Sequence, residues 1–338
     1  MSNNDLPLFI RALLKPDIYP HPVSEVKLVQ THISFVLLAG DFVYKIKKPV
    51  DFGFLDFTSL DKRQHFCAEE LRLNRRLCPD LYIETLTINE QNGAYSFNGP
   101  GRVVEHCLKM HRMPEEMMMG NIIAAGQLNR DHLSNIVNIL VPFYEQADGG
   151  PDIQNFGTAE AVAVNVLENF TQTEGFIGCG ALDQSQFDKI NSYARGFLDQ
   201  TNIFQNRIAA GRIRDCHGDL YSANICLADK TYIYDCIEFN ERFRYCDVAS
   251  DVAFLAMDLD FHDQRQNSDY FIENFIKKSA DPELNDMLNF YKCYRAYVRG
   301  KIGLFTAHAP EVDADTKDYS LKQAQRYFKL AEQYAGAN

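Results

Sequence analysis

The hydrophobic periodicity of this 338-residue chain changes near Met110, and that change limits how the chain can fold. Before this point, short runs with two-residue alternation are separated by turn residues, which indicates antiparallel strands. After it, apolar residues recur at helical spacing, and only residues 213–238 contain short strand-like runs. The pattern predicts an α+β protein with two lobes. Residues 1–108 would form a small antiparallel sheet with one helix, and residues 109–338 a larger, mainly helical lobe.

The first lobe contains the clearest local patterns. The runs VKLVQTH, ISFVLLAG and DFVYKIKK, within residues 26–48, predict three adjacent antiparallel strands, with Gly40-Asp41 as a hairpin turn. The stretch TSLDKRQHFCAEELRLNRRL predicts a helix that begins after Thr58 or Ser59 as N-cap and ends before Pro79. Further strands are predicted in LYIETLTI, GAYSFN and RVVEHCLKM.

Charge and cysteine usage limit the classes of partner. A net charge of -12 argues against sequence-independent binding to nucleic acid or to an anionic membrane, because both require a basic surface. The nine cysteines include no C-x-x-C pair and no zinc-type spacing, which favours a reducing compartment. No apolar run approaches the roughly 18 residues that a membrane helix needs, so we expect a cytoplasmic protein.

The stretch CHGDLYSANI is the strongest candidate for chemistry. Asp219 and Asn224 have the spacing of the kinase pattern H-x-D-x-x-x-x-N, and Asp235 follows the strand-like run TYIY. Phosphoryl transfer requires a carboxylate near the acceptor hydroxyl and oxygen ligands for Mg²⁺, which one Asn and one Asp can supply. The alternative is a polar turn with local Asp and Asn hydrogen bonds.

These residues resemble the aminoglycoside phosphotransferase and choline kinase-like branch of the protein kinase-like fold. In that branch the catalytic loop is typically H-G-D-h-x-x-x-N, matched here from His217 to Asn224. The block GDFVYKIKKPVDFGFLDF and the later EELRLNRRL are similar to a kinase-like module of bacterial proteins that is often fused to a P-loop ATPase domain. This sequence has no G-x-x-x-x-G-K-[ST] motif, so we expect the module to stand alone, with an ATPase domain as a candidate partner.

The resemblance implies an ATP- and Mg²⁺-dependent enzyme that phosphorylates a hydroxyl of a small molecule. Asp219 would be the catalytic base, His217 would orient its loop, and Asn224 and Asp235 would bind Mg²⁺. Tyr221 departs from the His that many relatives have at this position. Asp247 and Asp251 lie where a later helix begins, and an Asp there can simply be an N-cap. Their positions also resemble the family's segment whose Asp braces the loop, with Asp251-Val252-Ala253 the nearer match.

The phosphate-binding lysine is expected on the third strand, paired with a carboxylate of the helix. Lys45 and Lys47 lie on the same face of FVYKIKK, and the family pattern favours Lys45. One stripe of the helix consists of Phe66, Glu70, Leu73 and Leu77. Glu70 therefore lies on the apolar face and is the preferred partner, whereas Glu69 is predicted to lie on the exposed side with basic neighbours.

Three other segments receive weaker predictions. Asp51-Phe52-Gly53 resembles the metal-binding tripeptide of protein kinases but precedes the catalytic loop, so it is interpreted as a turn. In QTHIS, Thr31 and Ser34 could donate hydrogen bonds to phosphate, or the segment could be a plain hairpin turn. The run VVEHCLKM resembles the hinge between lobes, where backbone groups from Glu105 to Cys107 would contact adenine.

Three other functions remain open at this point. The chain could be a catalytically silent nucleotide-binding adaptor, or a kinase-like enzyme that acts on proteins. A metal hydrolase built on His217, Asp219 and Asp235 is disfavoured, because further His and carboxylate ligands at close spacing are missing from the sequence. The identity of the acceptor cannot be inferred from the fold, since one fold hosts many functions.

Overall fold

The structure, a computed structural model, describes residues 6–310 and 312–337. The chain divides into two compact units. Unit 1 consists of the chain up to Met117 together with the later segment Tyr232–Asn240. Unit 2 contains Met118–Thr231 and Glu241–Asn338. The division therefore lies beyond the predicted boundary at 108/109, because the last strand of unit 1 continues to His111.

Unit 1 is built on an antiparallel sheet with the strand order β1-β2-β3-β6-β4-β5. The strands are β1 Val26–Gln30, β2 Ser34–Ala39, β3 Phe42–Lys47, β4 Tyr82–Gln91, β5 Ala94–Phe97 and β6 Arg102–His111. Strands β1 to β3 pair in sequence order, as predicted. Strand β6 inserts between β3 and β4, which places Lys45 opposite Val36 on one side and Leu108 on the other.

Two α-helices accompany this sheet within the described part of unit 1. Helix α1, Leu8–Leu13, was not predicted, because six residues make less than two turns and give little periodicity. Its Ile10 and Leu13 are buried in the core of the sheet. Helix α2, Leu60–Asn74, begins after Ser59, whose side chain accepts a hydrogen bond from the Lys62 amide, as expected of an N-cap.

The segment Asp51-Phe52-Gly53 forms a tight turn between β3 and α2, as predicted. The Gly53 amide donates to the Asp51 carboxylate over 2.8 Å, and the Phe52 amide donates to the Leu55 carbonyl. Gly53 has a φ of 76°, a left-handed conformation that glycine adopts without steric cost. The Asp51 carboxylate and the amides of Phe52 and Gly53 thus form hydrogen bonds within the turn itself.

Unit 2 is mainly helical. Its helices are α3 Met119–Ala124, α4 Arg130–Gln146, α5 Pro151–Gln154, α6 Ala159–Thr173, α7 Gln184–Leu198, α8 Thr201–Ala209, α9 Glu241–Arg244, α10 Val248–Phe261, α11 Arg265–Ser279, α12 Leu284–Ala307 and α13 Ala314–Ala335. The short strands β7 Ile213–Asp215 and β10 Tyr245–Asp247 pair with each other, and β8 is Ile225–Leu227. A further strand, β9 Thr231–Ile233, spans the boundary between the units.

Helix α10 forms the centre of unit 2. All of its residues except Asp260 are buried, including the acidic residues Asp251 and Asp258. Buried carboxylates need hydrogen-bond or ionic partners, so two of them in one apolar helix indicate a polar structure packed against it. Within residues 6–310 and 312–337, no helix combines the length and apolar character needed to cross a membrane.

Candidate active site

The loop 217–224 is held by a carboxylate of helix α10. The backbone amides of His217 and Gly218 donate to the two oxygens of Asp251 over 2.7 and 3.0 Å. Gly218 has a φ of 86°, which allows successive amides to point toward the same acceptor. The Asp219 amide donates to Nδ1 of the fully buried His217 over 3.2 Å. Asp251 thus braces the loop, as predicted.

Asn224 fixes the side chain of Asp219. Its Nδ2 donates to the backbone carbonyl and to the Oδ2 of Asp219, each over 2.9 Å. Asn224 is buried, whereas Asp219 is half-buried and remains accessible. Because the amide nitrogen faces Asp219, the amide oxygen is the end of Asn224 that can bind a cation.

Two further residues that support this loop were not found from the sequence. Asp258 accepts a hydrogen bond from the Ser222 amide over 2.9 Å, and Arg295 of α12 donates to the Gly218 carbonyl over 2.9 Å. Asp258 follows Asp251 by two helical turns, so both lie on the same face of α10. The two acidic residues in the apolar run DVAFLAMDLD could have indicated this, but no local pattern marks Arg295.

Unit 1 contains a cluster of two lysines and three carboxylates. Lys45 Nζ lies 2.7 Å from Glu70 Oε1 and 2.6 Å from Asp235 Oδ1. Lys47 Nζ lies 2.6 Å from the other oxygen of Glu70 and also pairs with Glu238. The structure therefore brings Lys45, Glu70 and Asp235 together, but Glu70 binds both candidate lysines, and Glu238 was not predicted.

The electrostatics of this cluster follow from burial and opposite charge. Burial raises the pKa of Glu70, but Lys45 and Lys47 outweigh it and lower that pKa from 4.5 to about 2. Burial likewise opposes the charge of both lysines, yet the surrounding carboxylates raise the pKa of each. Burial raises the pKa of Glu238 more than Lys47 lowers it, and Glu70 adds to the increase. With all five groups ionised the cluster has one excess negative charge, which a cation could neutralise.

Asp235 is the most accessible carboxylate of the cluster. Its side chain is 42% exposed, against 1% for Glu70 and 6% for Glu238. Its backbone has a φ of 62°, an uncommon conformation for a residue other than glycine, and its amide donates to the Tyr82 hydroxyl over 3.1 Å. The Cys236 amide donates to Asn74, so helix α2 and strand β4 both fix this turn.

The two predicted ligands, each taken within its own unit, have donor atoms that suit a magnesium ion. Asp235 and Asn224 each offer a hard oxygen ligand, and Mg²⁺ typically takes few ligands from the protein and the rest from water and phosphate. Among residues 6–310 and 312–337, no group of three or more His, Cys, Asp or Glu side chains is arranged to hold a metal ion. A metal held by Asp235 or by Asn224 would therefore take its remaining oxygens from a nucleotide and water.

The segment around Thr31 and Ser34 forms a self-contained hairpin turn. Thr31 Oγ1 accepts hydrogen bonds from the amides of Ile33 and Ser34, over 3.3 and 2.9 Å. Ser34 is fully buried, and its hydroxyl has no hydrogen-bond partner among the described residues. Of the two interpretations left open by the sequence, this geometry favours the plain turn over a phosphate-binding loop.

The interpretation of Glu105 to Cys107 as a hinge is wrong. These residues lie inside β6, where their backbone pairs with β4, and unit 1 continues to Met117. The Glu105 carboxylate accepts hydrogen bonds from Arg63 Nε over 2.8 and 2.9 Å, and Cys107 is fully buried in the core. The error arose because the end of a strand cannot be located from the sequence alone.

No protein-family model matches the chain. It is 30% identical over 304 residues to uncharacterised proteins of Mycobacterium tuberculosis and Mycobacterium bovis, which covers 87% of this chain, and the chain spans only 59% of their length. The amicoumacin kinase hAmiN, solved with AMP-PNP, Ca²⁺ and Ami, is similar with a TM-score of 0.55 and 10% identity over 97% of this chain and 94% of that one.

A microcompartment-associated aminopropanol kinase is similar with a TM-score of 0.50 and 12% identity over 98% of each chain. At such low identity these likenesses concern the fold. They confirm the predicted kinase-like α+β fold.

Proposed function

We propose that this protein is a phosphotransferase that uses ATP and Mg²⁺ to phosphorylate a hydroxyl group of a small molecule. One observation carries the proposal: Asn224 holds the accessible Asp219 carboxylate in a loop whose backbone amides are bound by buried Asp251. A polar turn at the surface would not need a buried carboxylate as support, because water would satisfy its amides. The kinase-like fold of the chain agrees with the proposal.

Asp219 is the proposed catalytic base. It would accept the proton of the acceptor hydroxyl as that oxygen bonds to the terminal phosphorus of ATP and the bond to the bridging oxygen of ADP breaks. Asn224 donates one hydrogen bond to the Asp219 carboxylate and one to its backbone carbonyl, which keeps the side chain in a fixed orientation. His217 is fully buried, so its proposed role is positioning: its Nδ1 accepts from the Asp219 amide and fixes the backbone of the loop.

The cluster in unit 1 is proposed to bind the nucleotide. Lys45, held by Glu70, would contact the phosphates, and Asp235 and Asn224 would be the protein ligands of Mg²⁺. When bound, Mg²⁺ would neutralise charge on the phosphates. The excess negative charge of the lysine and carboxylate cluster favours binding of ATP together with its metal over binding of the free nucleotide.

An ATPase-domain partner and two alternative functions are further proposals that fewer observations support. The resemblance to modules fused to an ATPase suggests that this chain works with such a domain, and its curated relatives extend beyond the matched region. A silent nucleotide-binding adaptor and an enzyme acting on protein use the same fold. No contact among the described residues of either unit favours one of them over a small-molecule kinase, so a functional test must separate them.

Two isosteric substitutions test the proposed roles in the full chain. Asp219→Asn should leave Mg-ATP binding nearly intact in calorimetry, but lower acceptor-dependent ADP formation by about 10²-fold or more. Asp235→Asn should weaken the magnesium-dependent part of nucleotide binding as well as turnover. Turnover is measured across a panel of hydroxylated metabolites. An adaptor would bind Mg-ATP without turnover on any acceptor or on water, and full activity of Asp219→Asn would refute the catalytic assignment.

A further inference from the structure

Two stacked aromatic rings next to the proposed base are each covered by an arginine. Tyr221, two residues after Asp219, stacks on Phe254 of α10 with ring centroids 5.3 Å apart and planes inclined by 7°. The Arg299 guanidinium lies 4.8 Å from the centroid of the Tyr221 ring, and that of Arg295 lies 4.8 Å from the Phe254 ring. Both arginines belong to α12, four residues apart, and therefore on one face of that helix.

The two arginines differ in how their charge is compensated. Arg295 is buried, donates to the Gly218 carbonyl and to Ser250 Oγ, and lies 3.7 Å from Asp251, so its contacts are those of a support for the loop. Arg299 is only partly buried, and its side chain forms a hydrogen bond with Tyr327. Its Nε is buried without a hydrogen-bond partner.

The surroundings of Arg299 keep it charged. Burial lowers its pKa, but Tyr221, Tyr327 and Asp219 outweigh burial and raise that pKa. Asp219 is thus close enough to interact electrostatically with Arg299. The site consequently combines the proposed base with a guanidinium that lies over the aromatic rings of Tyr221 and Tyr327.

This arrangement disfavours a cationic acceptor. Ammonium groups are attracted to aromatic faces, but a guanidinium already covers Tyr221 and Phe254 and would repel a second cation. The nearby acidic residues Asp251 and Asp258 are buried and bound to loop amides. Neither is therefore available as a partner for an ammonium group.

We propose that the acceptor carries an anionic group, a carboxylate or a phosphate ester, which Arg299 binds while the acceptor hydroxyl faces Asp219. This inference rests on the proposed phosphotransferase function and specifies its substrate class. The planar guanidinium offers several N–H donors in a fixed geometry that matches both kinds of oxyanion. Stacking on Tyr221 holds the guanidinium in place, which reduces the entropy lost on binding.

Binding of matched hydroxyl compounds tests the proposal without requiring turnover. The probes are 2-hydroxyethyl phosphate, 3-hydroxypropionate and ethanolamine, measured by calorimetry on the full chain. At least one of the two anions should bind more tightly than ethanolamine, and Arg299→Gln should weaken that binding by about tenfold or more, as expected for loss of a charged hydrogen bond. A preference for one anion identifies the group. Binding that survives in Lys45→Met excludes the proposed phosphate lysine as the anion site.

A matched control is Arg326→Gln. Arg326 of α13 also lies over an aromatic ring, 4.3 Å from the centroid of Phe261, but it has Asp263 at 3.7 Å. This variant should bind the anions as the wild type does. If Arg299→Gln is unstable, Arg299→Lys retains the charge and should bind the anions better than ethanolamine.

Three results would overturn the inference: tighter binding of ethanolamine, unchanged anion binding in Arg299→Gln, or no saturable binding of either anion at millimolar concentration. Each leaves the proposed function intact if Mg-ATP binding and Asp219-dependent turnover persist. Conversely, loss of the proposed function would appear as absent Mg-ATP binding or as turnover that does not depend on Asp219. The two failures are therefore distinguishable.

Discussion

Replacement of Lys47 by methionine tests the buried cluster most directly. The Lys47 side chain is 1% exposed and lies between the carboxylates of Glu70 and Glu238, which are 1% and 6% exposed. Its ammonium also lies 4.8 Å from the centroid of the Phe57 ring. Methionine has a similar length and no charge, so Lys47→Met removes the cation while filling most of its volume.

The expected cost is large, because the substitution leaves carboxylates buried without their partner. Glu70 keeps Lys45, but Glu238 loses the cation to which it is paired. Removing one member of a buried ion pair typically costs about 3–5 kcal/mol. We therefore expect Lys47→Met to lower the free energy of unfolding by about that amount, measured by urea denaturation.

The matched control is an exposed ion pair on α2, the helix that contains Glu70. Glu69 pairs with Arg72 over 2.7 Å, and the Arg72 side chain is 57% exposed. Glu69→Ala should change the free energy of unfolding by less than about 1 kcal/mol, since surface pairs contribute little. In addition, Glu238→Gln combined with Lys47→Met should recover part of the loss, because the unpaired carboxylate is then absent.

Two outcomes would contradict this reasoning. If Lys47→Met lowered the free energy of unfolding as little as Glu69→Ala does, water or Lys45 would be compensating the carboxylates of Glu70 and Glu238. A double variant that is less stable than Lys47→Met would mean that the cost arises from packing rather than from an uncompensated charge.

Three further substitutions examine phosphate binding, the loop brace and acid sensitivity. Mg-ATP should stabilise the wild type against heat, by about 2.7 kcal/mol at a hundredfold excess of ligand over its dissociation constant. Lys45→Ala should reduce this stabilisation, whereas Glu69→Ala should not. An undiminished stabilisation in Lys45→Ala would argue against the phosphate role. Asp251→Ala leaves two buried amides without their acceptor, which costs about 1–3 kcal/mol each. The free energy of unfolding measured in urea should therefore fall clearly, and turnover should fall with it. The pKa of Glu70 is lowered from 4.5 to about 2 in the fold, so its ionised form stabilises the protein fully above pH 4.5 and less as the pH falls toward about 2. The difference in unfolding free energy between wild type and Glu70→Gln should shrink over that interval, and a constant difference would contradict the shift.

Local periodicity predicted several features of the site correctly. Two-residue alternation placed Lys45 and Lys47 on one face of β3, and the 3.6-residue period placed Glu70 on the inner face of α2 and Glu69 outside. In the structure Glu70 binds both lysines, whereas Glu69 pairs with Arg72 at the surface. These relations depend only on the geometry of a single strand or helix, so the sequence was sufficient to predict them.

Contacts between distant segments required the tertiary structure. Glu238 pairs with Lys47 across 191 residues of sequence, and Arg295 donates to Gly218 across 77. Neither contact leaves a trace in the local pattern, because the period of an element fixes the side that a residue faces but not the partner it meets there. What the sequence by itself determined was therefore the class of fold, the loop with Asp219, and the inner faces of β3 and α2. The packing of segment 232–240 within unit 1 decided which charges β3 meets, and the packing of α12 within unit 2 placed Arg295 against the loop.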